Sequence, residues 1–418
     1  MTNLAIGISD FKQVREGQYY YVDKSLFIKE IIDDSLVILL TRPRRFGKTI
    51  NLSLLRYFFE KTDQDTSYLF KDLNIWQAGE RYTSRQGQYP VISLTFKSIK
   101  ETNWAKTYEG LRNILAIEFE RHNYILESNL FSNREIDLFT RIANGKASEV
   151  EYKTSLRTLS SYLQRYHQQR VVILIDEYDT PINTAYLYNF YEDTTLFIRG
   201  LFEGAYKDNN SLEKGVITGI FRVAKEGIFS GLNNLSEYSV LNFPFADKFG
   251  FTEAEVKQLL ADYNLSDKLE GVRTWYDGYQ FGRESGIYNP WSIIKYAKDH
   301  EEGFKTHWVN TSDNALITEL IVGEALENRQ RLLELIDGQG FCTRVSESVI
   351  FRAYATIRRR YGRCYSTQAI LARSIAAAMR ATNILSTIYL FPIGKCSCFS
   401  RTLFGGGSGK SSLTSNCA

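Results

Sequence analysis

Leu36, Val37, Ile38, Leu39 and Leu40 form an unbroken apolar run, the pattern of a strand buried on both faces of a parallel sheet. A basic stretch follows, then Gly47-Lys48-Thr49, and from Ile50 to Phe59 the apolar positions recur at helical spacing. A second run, Val171 to Ile175, ends in Asp176 and Glu177. Pro90 to Phe96 reads as another core strand, with Pro90 at an entry where a missing N–H is tolerated. Gly215 to Arg222 is a strand with a polar exit, and Tyr238 to Phe243 resembles the last core strand. Leu26 to Ile32 is amphipathic, and Trp104 to His122 and Ser155 to His167 are helical by period. Helices between strands predict an α/β fold with a mainly parallel sheet and right-handed crossovers.

After this the pattern changes. Thr252 is placed to cap a helix, with Glu255 at the capping-box position. Trp275 to Tyr279 and Tyr288 to Ser292 read as aromatic turns whose rings fasten loops to a core, and Trp308 to Ser312 is polar without an assigned contact. The expected organisation is an N-terminal segment (1–35), an α/β core (36–243), a smaller helical region (244–352) and an atypical tail (353–418).

The strand, loop and helix around Gly47 are the context of a phosphate-binding loop. There backbone N–H groups and a helix N-terminus face phosphate, a Lys reaches the β and γ phosphates, and a Ser or Thr hydroxyl holds Mg²⁺. Lys48 and Thr49 take those roles, although Arg42 stands where G-x-x-x-x-G-K-[ST] has its first glycine. Asp176 at a strand end supplies the second group for Mg²⁺, and Glu177 is the residue to polarise an attacking water. In ATPases with an additional strand between the two Walker strands, that strand presents a polar sensor to the γ-phosphate, and Thr218 occupies such a position. Arg222, just beyond it, reads equally as a phosphate contact or an ordinary salt bridge, and Arg44 and Arg45 carry the same alternatives. Asp179 reads as a turn or cap residue.

IGISDFKQVREGQYYYVDKSLFIKEII, TRPRRFGKT, LIDEYDTPI, TGIFRVAKEGIFSGLNNL, TWYDGYQFG, IYNPWSI and HWVNTSDN together resemble the bacterial AAA-ATPase-like family, from about Ile6 to about Arg352. The resemblance implies an additional-strand P-loop NTPase core that binds ATP and Mg²⁺, followed by a helical region. A phosphate loop without its first glycine is itself typical of that family. The nucleotide-binding set it implies is Arg44, Arg45, Phe46, Gly47, Lys48, Thr49 and Ile50. Tyr21, Asp23 and Lys24 join it as neighbours of the nucleotide. Many members continue into a PD-(D/E)XK nuclease-like domain.

Composition adjusts this picture. The 418 residues allow two or three domains. Nine Lys or Arg and no Asp or Glu follow Arg352, so the formal charge of +3 leaves −6 for Met1 to Arg352. That acidic body argues against nucleic-acid binding by bulk charge. The five cysteines all lie at Cys342 or later, which suits a reducing compartment. Without a signal-peptide pattern or a run of eighteen apolar residues, the expectation is a soluble cytoplasmic protein with no membrane contact.

The acid-free tail reads either as a basic nucleic-acid-binding extension or as an out-of-frame end. In a shifted frame Tyr361 to Leu371 and Tyr389 to Cys396 can become family-like strings, which favours the second reading and removes any nuclease domain. Phe404 to Ser411 imitates a phosphate loop without its strand or helix, and Cys396 and Cys398 lack the partners of a zinc site. The functional alternatives are an Mg-dependent ATPase driving a conformational change and a nucleotide-gated interaction module or inactive remnant. An unidentified protein partner is implied, nucleic acid only by family association; oligomeric state is left open.

Overall fold

The computed structural model describes residues 2–223, 228, 229, 231–305 and 307. Its central sheet has five strands: β1 (Val37–Thr41), β2 (Val91–Thr95), β3 (Val171–Asp176), β4 (Leu212–Gly219) and β5 (Leu235–Tyr238). All pair in parallel, in the order β2-β3-β4-β1-β5. The strand ending in Thr218-Gly219 therefore lies between the strands that end at the phosphate-loop sequence and at Asp176. Leu40 is level with Thr218, and Ile175 with Ile217, so the three chain exits meet at one sheet edge.

Strand periodicity explains the layers. Val37, Leu39, Ile173, Ile175 and Ile217 share one buried cluster, while Ile38, Leu40, Val172, Leu174 and Val216 share another. The first cluster is closed by α5 (Trp104–Arg121), α6 (Asn133–Ala143), α7 (Glu149–His167), α8 (Thr180–Leu187) and α9 (Tyr191–Tyr206). The second is covered by α1 (Phe11–Glu16), α2 (Leu26–Asp33), α3 (Lys48–Phe59) and α4 (Glu80–Thr83). Every residue of β1 and β3 is buried, as their unbroken apolar runs require. On the outer edge of β2, Glu118 of α5 accepts from the Ser93 N–H and Arg121 donates to the Val91 carbonyl, so the helix satisfies backbone groups that an edge strand leaves open.

Two boundaries differ from the sequence pattern for identifiable reasons. α7 starts at Glu149, before the expected Ser155, because Ser148 and Glu151 form a capping box. β5 ends at Tyr238, where the expected strand begins. Its Ser236 and Glu237 disguise an edge strand, and the Ser239 N–H turns the chain by donating to the Asn242 side chain.

Beyond 244 come β6 (Phe251–Thr252), α10 (Glu253–Asp262), α11 (Leu269–Tyr276), β7 (Tyr279–Phe281), β8 (Glu284–Tyr288) and α12 (Pro290–Lys298). The expected Thr252–Glu255 capping box opens α10. A three-stranded antiparallel sheet, β6-β8-β7, accompanies the helices, and its β7–β8 hairpin occupies the stretch between the two aromatic turns. Gly282 turns the β7–β8 hairpin at φ 54°, where an added Cβ would meet the Asn242 carbonyl oxygen at 2.6 Å. The rings of the turns do pack: Trp275 stacks on Phe304, and Tyr276 lies in the local core.

Among the described residues no helix is long and apolar enough to cross a membrane. The expectations for Trp308 to Ser312 and for the tail from 353 onward, its phosphate-loop imitation and cysteines included, lie outside the described residues.

Candidate phosphate-binding site

After Thr41 the chain leaves the sheet and turns through two left-handed residues, Arg45 at φ 66° and Gly47 at φ 87°. Left-handed residues within such a turn gather backbone N–H groups into one concavity, the arrangement that holds anions. Gly47 is also the N-cap of α3, which adds the helix N-terminus to the same place. Lys48 is buried, and its Nζ donates to the carbonyls of Arg42 and Pro43, each at 3.0 Å. Burial pulls its pKa down, opposed by the charges of Glu177, Asp176 and Asp179.

Asp176 joins the three strand ends. Its Oδ2 accepts from the Thr49 hydroxyl at 2.7 Å and its Oδ1 from the Thr218 hydroxyl. Glu177 follows in a left-handed conformation, φ 51°, and its Oε2 accepts from the Thr180 hydroxyl at 3.3 Å. A non-glycine residue there costs about 1–3 kcal/mol and persists only when its surroundings hold it.

Those surroundings are Tyr178 and Asp179, both fully buried. Asp179 heads α8, yet its carboxylate does not cap that helix. It holds the expected cap position, but its Oδ2 accepts from the N–H groups of Ile220 and Phe221, each at 2.9 Å, so the side chain serves the exit of β4. Burial raises its pKa against the pull of those N–H groups and of Lys48. The Tyr178 hydroxyl donates to the Phe221 carbonyl at 2.8 Å and accepts from the Val223 N–H at 3.0 Å.

The arginines part company. Arg42 is fully buried and donates to the carbonyls of Thr41, Tyr238, Pro244 and Phe245, with its guanidinium 5.1 Å from the Phe249 ring and 5.5 Å from that of Phe281. Burial pulls its pKa down to about 9. The side chain at the first glycine position thus ties the loop to the chain beyond β5. Arg45 lies 3.9 Å over the Trp291 ring, with its pKa lowered by burial and by Arg44, which is itself exposed. Arg222 forms an ion pair with Glu237 of β5.

Phe46 is buried against Tyr279 and Phe281, and its carbonyl accepts from the Gly250 N–H. Ile50 packs at the border of the same cluster. The Asp23 carboxylate accepts from the N–H groups of Ser25 (2.7 Å) and Asn74 (2.8 Å). Lys24 is held by Glu255 and the Asp247 carbonyl, and the hydroxyl of Tyr21 accepts from the Lys24 N–H. The structure therefore brings Lys48, Thr49, Asp176, Glu177 and Thr218 to one sheet edge and engages Asp23 in backbone contacts. Arg42, Tyr178 and Asp179 are the residues sequence reasoning missed. The bonds of the last two reach more than forty positions along the chain, and those of Arg42 to β5 and beyond about two hundred, so no local pattern announces them.

A family model described as Predicted AAA-ATPase matches residues 5–229, more than half of the chain. The chain belongs to this AAA-ATPase-like family. Membership carries nucleotide binding by a P-loop NTPase core as the family's common property. An uncharacterized protein in the vnfD 5' region of Azotobacter chroococcum mcd 1 is 25% identical over 326 residues, 76% of this chain and 56% of that relative. The chain thus spans little more than half the length of the curated relative it matches. No solved structure matches.

Proposed function

We propose that this AAA-ATPase-like chain binds ATP with Mg²⁺ and hydrolyses it, coupling turnover to a movement of the region after 244. The observation that carries the reading is the Thr49–Asp176–Thr218 hydrogen-bond chain beside a buried Lys48 that is satisfied by its own loop carbonyls. Lys48 would exchange those carbonyls for β- and γ-phosphate oxygens, while the loop N–H groups and the charges of Arg44 and Arg45 receive the rest of the phosphate chain. Gly47 gives the turn that Phe46 and Ile50 brace from either side.

A hydroxyl and a carboxylate are hard oxygen donors, so Thr49 and Asp176 fit Mg²⁺ as the two protein groups of a shell otherwise made of phosphate and water. Among the described residues no three His, Cys, Asp or Glu side chains gather as a self-sufficient metal cage. Bound there, Mg²⁺ would neutralise phosphate charge. Glu177 would orient the attacking water, and Thr218 would report the γ-phosphate at the edge where Arg222 can add charge on leaving Glu237.

We assign 36–243 as the nucleotide core, preceded by the segment 1–35, and 244–352 as the part that moves. Arg42, Phe46 and Arg45 touch Phe245, Phe249, Gly250, Tyr279, Phe281 and Trp291, and the Asn51 side chain donates to the Lys248 carbonyl. A phosphate entering the loop would therefore be felt beyond 244. A protein partner in the cytoplasm would receive that motion, with nucleic acid supported by family association alone.

The ion pair of Arg222 with Glu237 favours a second reading, a nucleotide-gated interaction module that does not hydrolyse. Steady-state turnover of Mg-ATP by the full chain and by Glu177→Gln separates the two. The ATPase reading expects turnover in the parent and binding with only a small residual rate in the variant. Binding without turnover in both replaces it with the module.

A further inference from the structure

The stretch Asp176 to Asp179 is anchored on both sides of Glu177. On one side Asp176 accepts from Thr49 and Thr218. On the other, the Tyr178 N–H donates to the Thr218 carbonyl at 3.0 Å, and the side chains of Tyr178 and Asp179 accept three hydrogen bonds from, and donate one to, the backbone of residues 220–223. Glu177, left-handed at φ 51°, is held between these anchors, so its direction depends on them.

We propose that Tyr178 and Asp179 are positioning residues for hydrolysis: they clamp the exit of β4 to the turn after β3 and thereby aim Glu177 at the phosphate. The inference rests on the ATPase reading and deepens it, since neither side chain needs to touch substrate. Their fit is close. A Cβ on Gly219 would lie 2.6 Å from the Tyr178 ring and 2.8 Å from Asp179 Oδ1, so the exit strand and the clamp pack with no room for a side chain between them. Tyr178 is further braced by Phe229 and Phe202, at 5.2 and 6.2 Å between ring centroids. Asp179 acts as an acceptor of two N–H groups, a role that an asparagine carbonyl oxygen can also fill.

The test is a kinetic cycle on the full chain with Tyr178→Phe, Asp179→Ala, Asp179→Asn and Glu177→Gln, reading kcat, KM and nucleotide affinity. A misaimed catalytic group costs on the order of 100-fold in rate. Asp179→Ala is expected to lose about that much kcat with KM and nucleotide affinity nearly unchanged, and Asp179→Asn to recover most of it. In the Glu177→Gln background the alanine change is expected to lower the residual rate no further, because its effect passes through Glu177. If Asp179→Ala does not fold, Tyr178→Phe decides, since it deletes only the hydroxyl. A kcat loss that vanishes beside Glu177→Gln supports the clamp. Unchanged kcat, a loss persisting beside Glu177→Gln, or equal losses of kcat and nucleotide affinity overturn it. Failure of the ATPase reading is distinguishable, because then the parent itself does not turn over ATP.

Discussion

Two buried polar clusters flank the same sheet, and they are satisfied in opposite ways. On the outer edge of β2, Glu118, Arg121 and Glu60 pair with one another, Glu118 lies 3.5 Å from His122, and Tyr124 bridges His122 and His167. Burial pushes the Glu118 carboxyl up, but His122 and Arg121 more than reverse it and hold it below the usual carboxylate range. For Arg121, Glu118 and Glu60 likewise outweigh burial and raise its pKa. That cluster neutralises itself. At the phosphate edge, by contrast, Lys48 and Arg42 rest on backbone carbonyls, burial pulls both pKa values down, and Glu177 sits in a strained conformation. Cations satisfied by dipoles rather than by acids retain attraction for an anion. The comparison fits our proposal that the first cluster stabilises the fold while the second is organised for a ligand.

Breaking the self-neutral cluster should have the largest effect. Glu118→Ala strips Arg121 and the Ser93 N–H of a buried partner and should cost about 3–5 kcal/mol in urea unfolding. Nucleotide affinity of the folded fraction should stay within about twofold. A change in affinity as large as the change in stability would dissolve the distinction between the clusters.

The opposite sign is expected at the phosphate edge. Glu177→Gly relieves a left-handed side chain and should raise stability by about 1 kcal/mol while abolishing turnover. A variant less stable than the parent would show that Glu177 earns its place by contacts rather than by chemistry.

The smallest effect sharpens the picture of the first cluster. Burial, then Lys61 and His122, lower the His167 pKa from 6.5 to about 4. The unfolded chain takes up that proton as pH falls through 6.5, while the folded chain resists until about 4. Stability from this group is therefore present above pH 6.5 and is lost as pH falls toward 4. Half-exposed, it should shift the urea midpoint modestly between pH 7.5 and 5, and His167→Gln should flatten the dependence. An equal slope in the variant would assign the effect elsewhere.

Much of the fold could be read in advance because buried parallel strands announce themselves. β1 and β3 are unbroken apolar runs, and Thr218 could be placed because the apolar pair Val216-Ile217 runs into a polar end. β5 was displaced because an edge strand tolerates Ser236 and Glu237, and the small sheet was hidden because β7 and β8 are short and rich in glycine and aromatic residues. Within the site, Lys48, Thr49, Asp176 and Glu177 follow from local pattern. The tie made by Arg42 and the clamp made by Tyr178 and Asp179 do not, because each is defined by backbone groups distant in sequence. Asp23, expected beside the nucleotide, has its carboxylate engaged by two backbone N–H groups in the fold, which no local pattern announces.

The most direct test of the central claim is the melting temperature of the full chain titrated with Mg-ATP, beside Glu177→Gln and Lys48→Ala. At a hundredfold excess over Kd, a ligand bound only by the folded state adds about 2.7 kcal/mol. The account predicts a rise of that order for the parent and for Glu177→Gln, and none for Lys48→Ala. A folded parent whose melting temperature ignores Mg-ATP would contradict it.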